Sequence, residues 1–122
     1  MSTIKVTNLQ ATGETATRAV SGVAAAWVNF NGTGTIATQG SHNVSGLTDN
    51  GTGDYTINFS NNMSNSDYYV GESGANNTST EIRHLDSLSR TASLVQIQNR
   101  KNNANDFADT AYAGAGILGD LA

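Results

Sequence analysis

Ten carboxylates, two histidines and twelve serines are the residues of this sequence that could make or break bonds. Glycoside cleavage needs two carboxyl groups ~5–10 Å apart. The acids are Glu14, Asp49, Asp54, Asp67, Glu72, Glu81, Asp86, Asp106, Asp109 and Asp120. Asp49 and Asp54 are the nearest thing to a pair, but they bracket Asn50-Gly51-Thr52-Gly53. Asp in that setting closes backbone turns, and the turn role is the one expected. The same segment offers oxygen ligands without the spacing of a calcium loop. His42 and His84 stand far apart among polar neighbours and read as solvated side chains. Cys is absent, which removes disulfides and thiolate chemistry. No Gly-x-Ser-x-Gly elbow accompanies the serines. The reading is of a non-enzyme, with no catalytic residue, metal ligand or cofactor assigned.

Recognition is the chemistry that remains. Sugar faces stack on aromatic rings while their hydroxyls need donors and acceptors. Tyr68, Tyr69, Asn76 and Asn77 border a polar loop over 72–79, and residues 100–105 form another. Loops carry binding because the scaffold holds them while their sequence stays free. Neighbouring residues of a strand face opposite sides, so one tyrosine is expected to be buried, Tyr68 being the choice. Tyr69, Asn76, Asn77, Arg100 and Asn103 are left as candidate contacts. Trp27, Phe30, Tyr55 and Phe59 occur at strand spacing and read as core. On that reading Trp27→Ala costs ~3–5 kcal/mol.

The elements that must hold these residues are strands. The chain has 122 residues, the size of one domain. Asn, Gly, Ser and Thr make up 55 of them, while Ile, Leu, Val and Phe make up 23. Only 13% are charged, so the low apolar content does not read as disorder, which also requires high net charge. A core this thin calls for burial between subunits, and an oligomer is expected. The net charge of −4 argues against a nucleic-acid binder working by phosphate neutralisation. The longest apolar run, 23–28, is too short to span a bilayer, and no secretory signal is legible after Met1. Residues 1–22 read as a short strand around Ile4, Val6 and Leu9 followed by an extended arm for attachment or subunit exchange.

From Val23 onward short strands alternate with turn signals. Ala24, Ala26, Val28 and Phe30 share one parity, with Trp27 and Asn29 on the other. Asn31-Gly32-Thr33-Gly34 and Asn50-Gly51-Thr52-Gly53 repeat one turn chemistry. Strands are expected over 35–38, 42–47, 55–59, 68–71, 93–99 and 110–118, the last rich in Ala and Gly as if another strand or subunit came close. Over 78–90 a capping box, Thr78-x-x-Glu81, competes with β-rich surroundings, and a strand is favoured slightly. The whole predicts an all-β fold: an antiparallel β-sandwich, jelly-roll-like, over 23–122, with an extended N-terminal arm.

Residues 26–59, AWVNFNGTGTIATQGSHNVSGLTDNGTGDYTINF, resemble the distal domain of tail-fibre proteins of tailed bacteriophages. The resemblance lies in Trp27 to Phe30, the Gly32-Thr33-Gly34 turn, Asn43 to Ser45, and Thr48 to Phe59. Weaker similarity continues through Met63 to Tyr68 and Ala113 to Gly119. His42 replaces a usual aromatic, and the last strand is smaller than the Val-rich family version. The resemblance implies a structural protein on the virion surface, a homotrimer, held to other virion proteins by its arm and adhering to a host surface glycan. A capsid decoration protein, or a free carbohydrate-binding or depolymerising protein, are the alternatives. No nucleic-acid partner and no membrane insertion are expected.

Overall fold

The computed structural model describes residues 1–9, 12, 18–19, 23–75, 83–101 and 106–122. Two short strands in the arm, β1 (Asn8–Leu9) and β2 (Arg18–Ala19), pair with each other. Ile4 and Val6 lie outside β1 and are exposed, so the strand expected around them is confined to Asn8–Leu9. Eight strands then build an antiparallel β-sandwich. β3 (Ala24–Asn31), β4 (Ala37–His42), β7 (Tyr69–Ala75) and β10 (Tyr112–Leu118) form sheet I in the order β4-β3-β10-β7. β5 (Val44–Gly51), β6 (Asp54–Phe59), β8 (Arg83–Arg90) and β9 (Leu94–Lys101) form sheet II in the order β5-β6-β9-β8. Every pairing is antiparallel.

Period-two alternation makes the two inner faces. Ala26, Val28 and Phe30 of β3 are buried, as are Tyr55, Ile57 and Phe59 of β6, Val95 and Ile97 of β9, and Ala113, Ala115 and Ile117 of β10. Across β3 and β10 the register sets Phe30 beside Ala113, Val28 beside Ala115 and Ala26 beside Ile117. Large therefore meets small in each row, which seats the Ala-rich last strand between β3 and β7. Edge-to-face ring pairs bridge the layers, Phe30 with Tyr55 at 5.1 Å and Phe59 with Tyr68 at 5.8 Å.

Two expectations change. Trp27 is not core: it belongs to the outward parity of β3 and is 39% exposed. Its ring lies over β4, where a methyl on Gly40 would stand 3.4 Å from it. Strand parity outweighs side-chain hydrophobicity, because turning Trp27 inward would turn Val28 and Phe30 outward. The strand expected over 42–47 is instead broken at Asn43, a non-glycine residue at φ 54°. Asn tolerates the left-handed region, and here its amide locks the corner between sheets. Nδ2 donates to the carbonyls of Ala25 and Asn61, and Oδ1 accepts from the Asn61 backbone N–H at 2.8 Å. The ambiguous segment forms strand β8 over Arg83–Arg90, and residues 78–82 lie outside the described residues.

The register gives the sandwich two distinct ends. Asn31, Ala37, Gly51, Asp54, Ala75, Arg83, Lys101 and Tyr112 terminate their strands at one of them, the turn end. Ala24, His42, Phe59, Tyr69, Leu94 and Leu118 lie at the other, the base, where the chain arrives from the arm.

Candidate functional site

At the turn end both Asn-Gly-Thr-Gly segments converge on one loop. Gly32 N–H donates to the Thr110 carbonyl at 2.8 Å, and Gly53 N–H donates to Asp109 Oδ1 at 2.8 Å. Tyr55 donates its hydroxyl toward the Gly32 carbonyl and Asp109 Oδ1, both at 3.2 Å. Burial, reinforced by Asp109, pushes the Tyr55 phenol well above its ordinary range, so it stays a neutral donor. The second glycine of each turn takes a left-handed φ, 63° at Gly34 and 65° at Gly53. At Gly53 a methyl would collide with the Asn99 carbonyl and the Ala108 backbone at 2.7–2.9 Å. Asn99, fully buried, donates its amide to the Ala108 carbonyl and completes the clamp.

Asp49 and Asp54, the carboxylates nearest to a catalytic pair, are both absorbed by structure. Asp49 Oδ1 accepts from the Gly51 N–H at 3.0 Å. Asp54 accepts from Gln96 at 2.8 and 3.0 Å, Gln98 at 2.9 Å and Asn50 at 3.0 Å. Partial burial pushes its pKa up, but the amide donors of Gln98, Gln96 and Asn50 outweigh this and hold it below the usual value. The histidines fall on different sheets, His42 at the base of β4 and His84 near the turn end of β8.

Of the recognition residues, Tyr69 and Arg100 fall among the described ones. Tyr68 is buried and Tyr69 is 64% exposed, as the parity argument required. Tyr69 lies at the base end of β7, ~20 Å along the strand from Ala75 at its turn end. Asn76, Asn77 and Asn103 lie outside the described residues. Arg100 is engaged with its own loop: its guanidinium sits 5.3 Å from the Phe107 ring centroid, and Arg100 bridges Phe107 through the backbone. Beside it Lys101 pairs with Asp106 at 3.4 Å.

A more coherent set of exposed rings lies on the outer face of sheet I. Tyr112 (55% exposed), Trp27 and Tyr69 project there. Between them β10 presents Gly114 and Gly116, flanked by Gly40 on β4 and Gly71 on β7. A methyl on Gly114 would stand 2.6 Å from Asn29 Oδ1 and 3.0 Å from Ser73 Oγ, so an amide and a hydroxyl close over that position. A methyl on Gly116 would meet nothing within 4 Å. Asn29, Gln39, Ser73, Gly74 and Tyr112 line a hollow of about 300 Å³. The sequence signal for this face is parity: Trp27 and Asn29 share the parity opposite to the buried residues of β3, and Tyr112, Gly114 and Gly116 share theirs on β10.

No family model matches the chain, no characterised protein matches it, and no solved structure matches its fold.

Proposed function

We propose that this chain is a non-enzymatic structural protein of a tailed-phage particle surface, a tail-fibre-like adhesive module working as a homotrimer. The observation that supports it most is the polarity of the sandwich. The arm joins β3 at the base, and the clamped turns stand at the opposite end. A body of this kind can be mounted by one end and present the other surfaces to a cell. The residues that resemble tail-fibre domains, 26–59, are β3 to β6 in this fold, with the Asn43 corner and both turns. The base also offers a hollow of about 380 Å³ lined by Val23, Ala24, Ala25, Gly119, Asp120 and Leu121, suited to contact with other subunits or particle proteins. Repetition of weak sites in a trimer, and of trimers on a particle, supplies avidity.

Immunogold labelling of whole particles tests the reading. Label at the tail is expected. Label over the head replaces it with a capsid decoration role, and absence from purified particles overturns it. Light scattering is expected to give three times the 12.7 kDa chain mass, and a monomeric mass removes the trimer. Release of reducing ends from host polysaccharide would establish the depolymerising alternative.

A further inference from the structure

We propose that the outer face of sheet I is a binding platform for a neutral polysaccharide chain, which stacks on Trp27 and Tyr112 and hydrogen-bonds Asn29 and Ser73. The inference rests on the adhesive reading and moves its contact surface from the loops to a sheet face.

Three features select this ligand chemistry. The first is charge. Among the described residues, the four strands project no Asp, Glu, Lys or Arg side chain from this face; His42 stands beside Trp27 in register, and Asp67 and Asp120 line the hollow that Tyr69 borders at the base. The one Asp, Glu, Lys or Arg in the four strands, Glu72, pairs in register with buried Ala115 and takes a hydrogen bond from Ser87 of sheet II, so it points inward. With no lysine or arginine projecting from its strands, and carboxylates at its base, the face favours a neutral chain over a sulfated or uronic one.

The second feature is the posture of the rings. Tyr69 lies against Gly71, where a methyl would stand 3.2 Å from the ring, and Trp27 lies against Gly40. Glycines beneath them let both rings approach the sheet while each keeps surface exposed to solvent, and an exposed ring can stack the C–H face of a pyranose. Between them Gly116 leaves open floor.

The third feature is the order of groups along β10. From the turn end downward come the Tyr112 ring, the Asn29 and Ser73 oxygens over Gly114, then the open floor at Gly116 between Trp27 and Tyr69. Successive outward positions are ~6.8 Å apart, so rings and hydrogen-bonding groups alternate along a strip long enough for a short oligosaccharide. Such alternation suits a chain whose units each carry an apolar face and a polar edge.

Trp27 is the chain's single tryptophan, so its fluorescence reports this face alone. The test titrates the full-length protein with dextran, mannan, laminarin and galactan, with alginate as an acidic comparator. At least one neutral polymer is expected to shift the Trp27 emission and to retard the protein in affinity electrophoresis. Tyr112→Ala, Asn29→Ala and Gly116→Gln are expected to weaken the binding at least about tenfold. Thr56→Ala and Gln98→Ala, on the outer face of sheet II, are expected to leave it unchanged. Thermal melts of every variant separate lost binding from lost fold, and Asn29→Ala, which removes no apolar packing, keeps the test decisive if another variant melts early. The proposal fails if none of the neutral polymers binds, if only alginate binds, if binding leaves Trp27 emission unmoved, or if the sheet I variants retain affinity. It also fails if Tyr112→Ala dissociates the oligomer, which would make this face an interface between copies. Failure here with label still at the tail would leave the adhesive module standing and return its contact surface to the loops.

Discussion

On the outside of sheet II, Asn50, Thr56, Gln96 and Gln98 surround Asp54, and Asn58 reaches Thr48 at 3.2 Å. Those side chains satisfy one another across strands β5, β6 and β9. On the outside of sheet I, the rings of Trp27, Tyr69 and Tyr112 stand around glycines, and Asn29 and Ser73 supply polar atoms over Gly114. Both faces belong to antiparallel sheets of four strands packed on the same core. A face whose groups are paired across strands needs no partner to be complete. A face that exposes rings and bare backbone gains from being covered. The difference teaches that solvent-facing parity alone does not mark a surface as inert: what matters is whether its groups are already engaged.

Phe30 and Trp27 lie three residues apart on β3 but on opposite faces, and they give the widest test of the contrast. Phe30→Ala opens the shared core and is expected to cost ~3–5 kcal/mol by denaturant unfolding. Trp27→Ala removes a half-covered ring and is expected to cost only ~1 kcal/mol. A Trp27→Ala loss as large as that of Phe30→Ala would return Trp27 to the core and break the comparison. The two related turns give an intermediate pair. Gly53→Ala combines a left-handed φ with backbone collisions and is expected to cost more than ~2 kcal/mol, whereas Gly34→Ala meets open space and carries only the φ strain, ~1 kcal/mol. Equal melting temperatures for the two variants would refute the clamp at Asp109 and Thr110.

The smallest effects are in pH dependence, and two carboxylates pull in opposite directions. The Asp54 pKa is depressed in the fold, so its contribution is present above the unfolded value, about 4, and is lost as pH falls through the lower folded value. Asp54→Asn should therefore flatten the acid limb of the stability curve. Burial raises the Glu72 pKa despite its Ser87 hydrogen bond, so the folded state takes up a proton more readily than the unfolded one. Stability then declines as pH rises from the unfolded value, about 4.3, through the raised folded value. Glu72→Gln should remove that decline and leave neutral-pH stability equal or higher. A variant whose stability-against-pH curve matches the parent would show that its carboxylate does not titrate differently in the fold.

Much of the architecture was legible because it depends on local chemistry. The alternation of Tyr55, Ile57 and Phe59 marks β6 directly, and the burial of Tyr68 beside exposed Tyr69 follows from period two. The corner at Asn43 was not legible, because its cause is a set of hydrogen bonds to Ala25 and Asn61, each 18 positions away. The candidate site was legible only in part. Tyr69 is exposed as period two requires, while Asn76 and Asn77 lie outside the described residues. A strand of seven residues carries its two ends to opposite ends of the sandwich.

The sequence by itself determined that the protein would be a set of short antiparallel strands, since residue parity and Asn-Gly turn chemistry act within a few positions of one another. Tertiary structure alone decided that Trp27, Asn29, Ser73 and Tyr112 share a surface. They come from three strands widely separated along the chain, and only the pairing of β10 between β3 and β7, driven by burial of the opposite face, sets them side by side.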